Sequence, residues 1–276
     1  ILRYFYNLNK IDVKNKEFVE WKHKAEDLNK KLMLLKTREE RVDFLKKNNH
    51  WKNIKNIFID TFCKLCWYSD CSLDGTYGDM DHFRPKSRTR NLEKQTILDE
   101  GYWQLAYEYT NYRLSCEVVN RSGKSDFFPV RNGIACTNNI ENEEPYLLDP
   151  CNLEDTKLIG YREGGEVVCE TCNDWDCERV CASEKLYKLN EFIDSRDNII
   201  EDVKHDFYKL KCFISEKNFS SIDIIVENIS SYLSWEKAYS SIAYSYIIFL
   251  INLPENDGMQ DIVMEIVKEK YLKHNN

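Results

Sequence analysis

Nine residues, Gly78-Asp79-Met80-Asp81-His82-Phe83-Arg84-Pro85-Lys86, constrain this chain more than any other stretch. Proline fixes φ and removes a backbone donor, so Pro85 ends whatever strand precedes it and leaves Met80–Phe83 as a short strand. A carboxylate and an imidazole sit side by side on that strand. Arg84, Lys86, Arg88 and Arg90 follow in a basic loop with no acid among them. Successive strand residues point to opposite faces, so Asp81 and His82 reach one ligand only where the strand bends, which Pro85 permits.

Downstream, Tyr112–Cys116 reads as a second strand, Asn111 precedes it, and the segment from Glu117 onward, with Asn120, reads as a helix. Two strands and a helix around one metal make a small ββα-metal unit. Hydrolysing a phosphodiester needs a base for water, a cation for the charge that builds on phosphorus, and positioning of both. His82 offers an imidazole titrating near neutral pH. Asp81 and Asn120 offer hard oxygens suited to Mg²⁺. Asn111 is placed to hydrogen-bond backbone across the loop and hold His82. Arg84, Lys86, Arg88 and Lys124 are the candidates for the nucleic-acid backbone, contacts that position without reading sequence. An Asp-His pair alone is a weak signal; its sum with Trp103, Asn111, Cys116, Asn120, Lys124 and Phe128-Pro129 is far more specific.

The runs DHFRPK, YWQLAYEYTNYRLSC and NRSGKSDFFP closely resemble the HNH endonuclease family whose members accompany ATPases in bacterial anti-phage systems, such as the HNH subunits of Septu and of retrons. EEPYLLDPCNLEDTKLIGY and the hairpin after it extend the likeness to roughly residues 60–195. The resemblance implies His82 as general base, Asp81 and Asn120 as ligands of Mg²⁺ or Mn²⁺, and Asn111 as the residue that orients the loop. It also implies a nucleic-acid substrate, DNA favoured over RNA or tRNA. An ABC or Rad50-type ATPase partner, with or without a retron RNA-DNA, follows from the same likeness.

Many HNH proteins carry two CxxC pairs that build a structural zinc site. Here Cys63-Lys64-Leu65-Cys66 supplies the first, but the second reads Cys116-Glu117-Val118-Val119 and lacks a thiolate. Structural Zn²⁺ at Cys63, Cys66 and Cys116 then needs a fourth ligand from elsewhere, such as Cys71; the alternative is small buried thiols. Cys169, Cys172, Cys177 and Cys181 form a second cluster, either a zinc site or unligated. Eleven cysteines without a secretory signal read as thiols or metal ligands rather than disulfides.

Flanking helices complete the chain. Phe18, Trp21, Ala25, Leu28, Leu32 and Leu35 recur at alternating three and four residues, one apolar helical face; Val42 and Leu45 continue until Asn48-Asn49, and Ile54, Ile57 and Phe58 mark a third helix. Trp103, Ala106 and Tyr107 predict a short helix over 102–109. Glycines at 160, 164 and 165 predict a hairpin within Leu158–Val168, after an acidic, Asn-rich run from Thr137 to Asp149. Ile200, Val203, Phe207, Leu210 and Ile214 form one late stripe, and Trp235, Ala238, Ile242, Tyr246, Phe249 and Leu253 another. The expected fold is α+β and mostly helical: a helical region over 1–62, an HNH core with hairpin and Cys-rich extension over 63–182, and a helical region over 183–276.

At 31% charged and 42% hydrophobic residues the chain is globular, and a net charge of −8 argues against non-specific coating of nucleic acid. The longest apolar run, Tyr246–Leu253, is too short to span a membrane, and Ile1-Leu2-Arg3-Tyr4 shows no signal-peptide pattern, so a cytoplasmic location is expected. Two other readings remain open: a catalytically silent, zinc-stabilised scaffold, and an RNA- or tRNA-cleaving nuclease.

Overall fold

Asn15 starts the first helix by accepting, on its side-chain oxygen, the backbone N–H groups of Glu17 and Phe18, two donors that a helix start leaves unpaired. Helix α1 (Lys16–Met33) buries Phe18, Trp21, Ala25, Leu28 and Leu32, the three-four stripe of the sequence. Thr37 and Glu40 form a reciprocal capping box on α2 (Arg38–Lys47). Past Asn48-Asn49 the chain makes a 3₁₀ turn, His50–Ile54, and enters α3 (Lys55–Phe62). These coordinates are a computed structural model that describes residues 5–75, 78–131 and 140–268. Ile1–Tyr4, positions 76–77 of the turn before Gly78, and Thr137–Asn139 of the acidic run lie outside the described residues.

Strand β1 (Asp79–His82) is followed by a small ribbon of β2 (Thr89–Arg90) and β3 (Thr96–Leu98). Strand β4 (Tyr112–Ser115) then returns antiparallel to β1, with Asp81 opposite Arg113 and His82 opposite Tyr112. A π-helical segment, Val118–Lys124, comes next. Gly123 lets it approach closely, since a Cβ there would lie 2.5 Å from the carbonyl of Leu186.

The helix expected over 102–109 does not form; 3₁₀ turns at Trp103–Leu105 and Tyr109–Asn111 stand in its place. The Ala106 carbonyl, which a helix would spend on a backbone N–H, instead accepts from His82 Nε2 at 3.0 Å and the Tyr112 hydroxyl at 2.7 Å. Gly101 makes the compact loop feasible. Its φ is +60°, and a Cβ would lie 2.5 Å from the Pro85 carbonyl.

The hairpin forms from β5 (Ile159–Tyr161) and β6 (Val167–Cys169), turning through Gly164 and Gly165 at positive φ. Helix α4 (Asp174–Leu186) follows at once. Here one expectation is corrected. Cys169 at the end of β6 and Cys177 in α4 bring their Cα atoms to 5.4 Å and form a disulfide, while Cys172 and Cys181 are exposed.

Helix α5 (Ile193–Ser215) buries Ile200, Val203, Phe207 and Leu210. It packs on α6 (Phe219–Tyr232) and α7 (Ser240–Ile251), and α8 (Gln260–Val267) closes the described chain. One hydrophobic cluster runs from Tyr6 through Trp67 to Val267. Buried Asp70 ties the ends together, accepting from the Ser241 backbone N–H at 3.0 Å and its hydroxyl at 2.6 Å. The protein is α+β and mostly helical, with three two-stranded sheets among the described residues. No described helix is long and apolar enough to cross a membrane.

Candidate active site

β1 carries Asp79 and Asp81 on one face and Met80 and His82 on the other, yet all four line one cleft of about 1000 Å³. Imidazole orientation follows from its partners. A carbonyl only accepts, so Nε2 of buried His82 donates to Ala106, 3.0 Å away, and carries the ring proton. Burial first, then the charges of Lys86 and Lys124, push the His82 pKa well below its ordinary value. The ring is therefore neutral at pH 7, with its lone pair on Nδ1, 3.5 Å from Lys86 Nζ. Trp51 and Tyr112 hold its edges, with ring centroids 5.1 and 5.0 Å away. Neutral, fixed and facing a cleft, Nδ1 has what a general base requires.

Asn111 is buried and clamps the loop after His82. Its side-chain oxygen accepts the Arg84 N–H at 2.9 Å, and its amide donates to the Arg84 carbonyl at 3.0 Å. Its own carbonyl accepts from Phe83 N–H at 2.8 Å.

Asp81 is not open to solvent. Tyr68 donates to Oδ2 at 2.6 Å, and Lys124 Nζ lies 3.0 Å from the same oxygen. Lys124 also donates to the His82 carbonyl at 2.8 Å and is fully buried. Asn120 meets Asp79 rather than Asp81, its Nδ2 donating to Asp79 Oδ2 at 3.0 Å. Arg121 grips Asp79 from 2.9 and 3.1 Å. Burial pushes the Asp79 carboxyl up, but the Arg121 and Asn120 hydrogen bonds and the Arg121 charge outweigh it and hold the pKa below its ordinary value. Asp79, Asp81 and Asn120 thus gather two carboxylates and an amide, hard oxygen donors of the kind Mg²⁺ or Mn²⁺ takes. Asp81 serves such an ion only if Lys124 releases it.

Four basic residues were candidates for phosphate contact, and the structure separates them. Arg84 points away, donating to buried Glu143 at 2.9 Å with its guanidinium 5.2 Å from the Phe128 ring centroid. Lys124 is committed to Asp81. Arg88 lines the cleft while bonded to Asp126. Lys86 lines it with no ion pair among the described residues, its ammonium 4.5 Å from the Trp51 ring centroid, and burial lowers its pKa to about 8.

Three thiols converge outside the cleft lining, where Cys116 follows β4. The sulfurs of Cys66, Cys71 and Cys116, all buried, lie within 4.8 Å of one another. Burial pushes the Cys66 thiol up, but hydrogen bonds from Cys116, Cys71 and Ser69 outweigh it and favour a thiolate there. Soft sulfurs around one thiolate fit Zn²⁺. Cys63 does not join them. At the end of α3 it turns through φ +66°, and its thiol donates to the Trp235 carbonyl at 3.7 Å. Cys71, the candidate fourth ligand, thus joins Cys66 and Cys116, and Cys63 is the one that drops out.

Sequence reasoning missed Asp79, Tyr68, Trp51, Lys52 and Arg121. Asp79 alone had a usable signal, since two residues before Asp81 on a strand means the same face. The others arrive by tertiary packing.

No family model matches the chain, and no solved structure matches it. Among curated proteins it is similar to the Septu protein PtuB of Bacillus mycoides (strain KBAB4), 30% identical over 127 residues. That stretch covers 42% of this chain and 43% of PtuB, so the chain spans less than half of that protein.

Proposed function

We propose that the protein is a metal-dependent HNH-type endonuclease that hydrolyses nucleic-acid phosphodiester bonds, DNA before RNA, as an effector in bacterial anti-phage defence. The observation that carries this reading is the neutral His82, its Nδ1 turned to a cation-lined cleft beside Asp79, Asp81 and Asn120. His82 takes the proton of the attacking water at Nδ1 while Ala106 holds Nε2–H. Asn111 keeps the loop, and hence the ring, in register. Lys86 and Arg88 draw the phosphate in. Mg²⁺ or Mn²⁺ held by Asp81 and Asn120, with Asp79 alongside, supplies charge stabilisation on the phosphate when bound. Zn²⁺ at Cys66, Cys71 and Cys116 serves the fold. The likeness to PtuB supports the defence role and a setting with partners; an ABC or Rad50-type ATPase as that partner is what the sequence resemblance implies.

The test is cleavage of plasmid DNA and total RNA with Mg²⁺ or Mn²⁺, alone and with that ATPase, comparing wild type with His82→Ala. Metal-dependent cutting lost in the variant supports the nuclease and identifies its polymer. One observation favours a second reading, a catalytically silent subunit stabilised by zinc: the Lys124 ammonium already neutralises Asp81. Absence of cutting of either polymer under every condition, with zinc bound, selects that reading.

A further inference from the structure

The N-terminal helices look, from their apolar stripes, like scaffold. The structure puts part of them in the cleft. Arg38, Lys52 and Lys55 line it, together with Lys86, Arg88 and Arg121. Against these six cations stand three carboxylates, an excess of three positive charges in a chain of net charge −8. The cleft thus inverts the sign of the molecule around it, and such inversion selects a polyanion over a small neutral ligand.

Lys52 is the informative member. It is exposed and makes no ion pair among the described residues, unlike Arg88 and Arg121, which hold Asp126 and Asp79. It lies one residue from Trp51, whose indole touches His82 edge-on with centroids 5.1 Å apart and lies 4.5 Å from the ammonium of Lys86. Lys55 follows three residues later, across the junction of the 3₁₀ turn with α3, and reaches toward the Gly78 carbonyl at 3.5 Å just ahead of β1. The charge of Lys52 is already felt in the cleft, since it helps hold Asp79 below, and Lys86 below, their ordinary pKa values.

We infer that Lys52 and Lys55 of the N-terminal region bind backbone phosphates of a nucleic acid, forming one wall of a groove whose other wall is Arg88 and Arg121. This rests on the nuclease reading and adds to it a second binding wall outside the β1–β4 unit. Phosphate contacts of this kind add affinity without sequence preference, and each releases about one counterion from the nucleic acid.

The experiment is anisotropy titration of a labelled 30-base-pair duplex of mixed sequence at several salt concentrations, on full-length His82→Ala protein that binds without cutting. Lys52→Ala/Lys55→Ala is introduced on that background, with Lys30→Ala/Lys31→Ala, exposed on α1 outside the cleft, as control. Lys52→Glu alone guards against a subtle effect, and circular dichroism reports folding. The expected result is binding weakened about tenfold or more and a slope of log affinity against log salt reduced by about two, with the control unchanged. A parent that binds duplex while the Lys52/Lys55 variant keeps its affinity and slope overturns the second wall and leaves the nuclease standing. A parent that binds nothing, while the wild type still cuts plasmid, also overturns it. A parent that does not bind, together with a wild type that cuts neither polymer, overturns the nuclease reading and this inference together.

Discussion

Lys124 Nζ lies 3.0 Å from Asp81 Oδ2, and the two side chains are closed off from solvent together. Removing one partner of such a pair strands a desolvated charge and costs about 3–5 kcal/mol, whereas replacing both with neutral groups of similar size is close to neutral. Lys124→Met therefore lowers unfolding free energy by about that amount, and Asp81→Asn/Lys124→Met restores most of it. Urea denaturation of the four proteins of the cycle checks this; a single-variant loss under about 1 kcal/mol would show that Asp81 has another cation.

Arg84 is expected to stabilise the fold rather than hold the substrate. Its guanidinium donates to Glu143, which also accepts from Tyr102, and it lies 5.2 Å from the Phe128 ring centroid. Arg84→Ala is expected to cost about 3 kcal/mol, because a nearly inaccessible carboxylate loses its cation. The salt slope of nucleic-acid binding stays unchanged. A lowered slope with unchanged stability would return Arg84 to the phosphate-binding set.

The helices of the flanks were legible because their apolar residues repeat at helical spacing and their caps are local: Asn15, and Thr37 with Glu40. The β1–β4 pairing followed from an Asp-His strand closed by Pro85 and a second short apolar run. What remained hidden depends on distance in sequence. Nothing around Lys124 says that it turns inward, 43 residues from Asp81, or that Cys71 rather than Cys63 meets Cys66 and Cys116. Spacing made Cys63 and Cys66 a pair, but the positive φ that ends α3 sends Cys63 toward Trp235. Helix propensity over 102–109 lost to His82 and Tyr112, which claim the Ala106 carbonyl.

That exchange of cysteines is testable by metal content. Purified protein is expected to carry one zinc. Cys71→Ser loses it and Cys63→Ser keeps it. Because a structural zinc contributes directly to folding, chelation lowers Tm of the wild type and of Cys63→Ser but not of Cys71→Ser. Zinc lost from Cys63→Ser and kept in Cys71→Ser would reverse the assignment.

Acid sensitivity has a contributor away from the cleft. His50 donates through Nε2 to the Trp21 carbonyl at 3.0 Å and stacks on the Trp21 ring, joining the 3₁₀ turn to α1. Burial lowers its pKa from the model-compound value of 6.5. The unfolded chain then binds more protons than the folded one below pH 6.5, so stability rises with pH through that window, is fully present above it, and is lost as pH falls. His50→Gln is expected to reduce the rise of unfolding free energy with pH between 5 and about 6.5, leaving the contribution of His82, whose pKa burial also lowers, and the opposing one of Asp70, whose carboxyl burial raises to about 7. An unchanged slope means the ring titrates equally in both states.

Trp51 joins the N-terminal region to the proposed chemistry. Its indole contacts the His82 ring edge at a centroid distance of 5.1 Å and the Lys86 ammonium at 4.5 Å, so it fixes both the base and a phosphate-binding cation. Trp51→Ala opens a cavity beside His82 at a cost of about 3–5 kcal/mol. It also frees the imidazole to tilt from its line to Ala106, and a misplacement of about 1 Å lowers kcat about 10²-fold. Trp51→Phe keeps an aromatic edge against His82 and recovers most of the rate, while a smaller ring leaves Lys86 less well held and KM raised. Single-turnover cleavage at saturating metal separates the two effects. Equal kcat in Trp51→Phe and Trp51→Ala would mean that the ring packs the core without positioning His82.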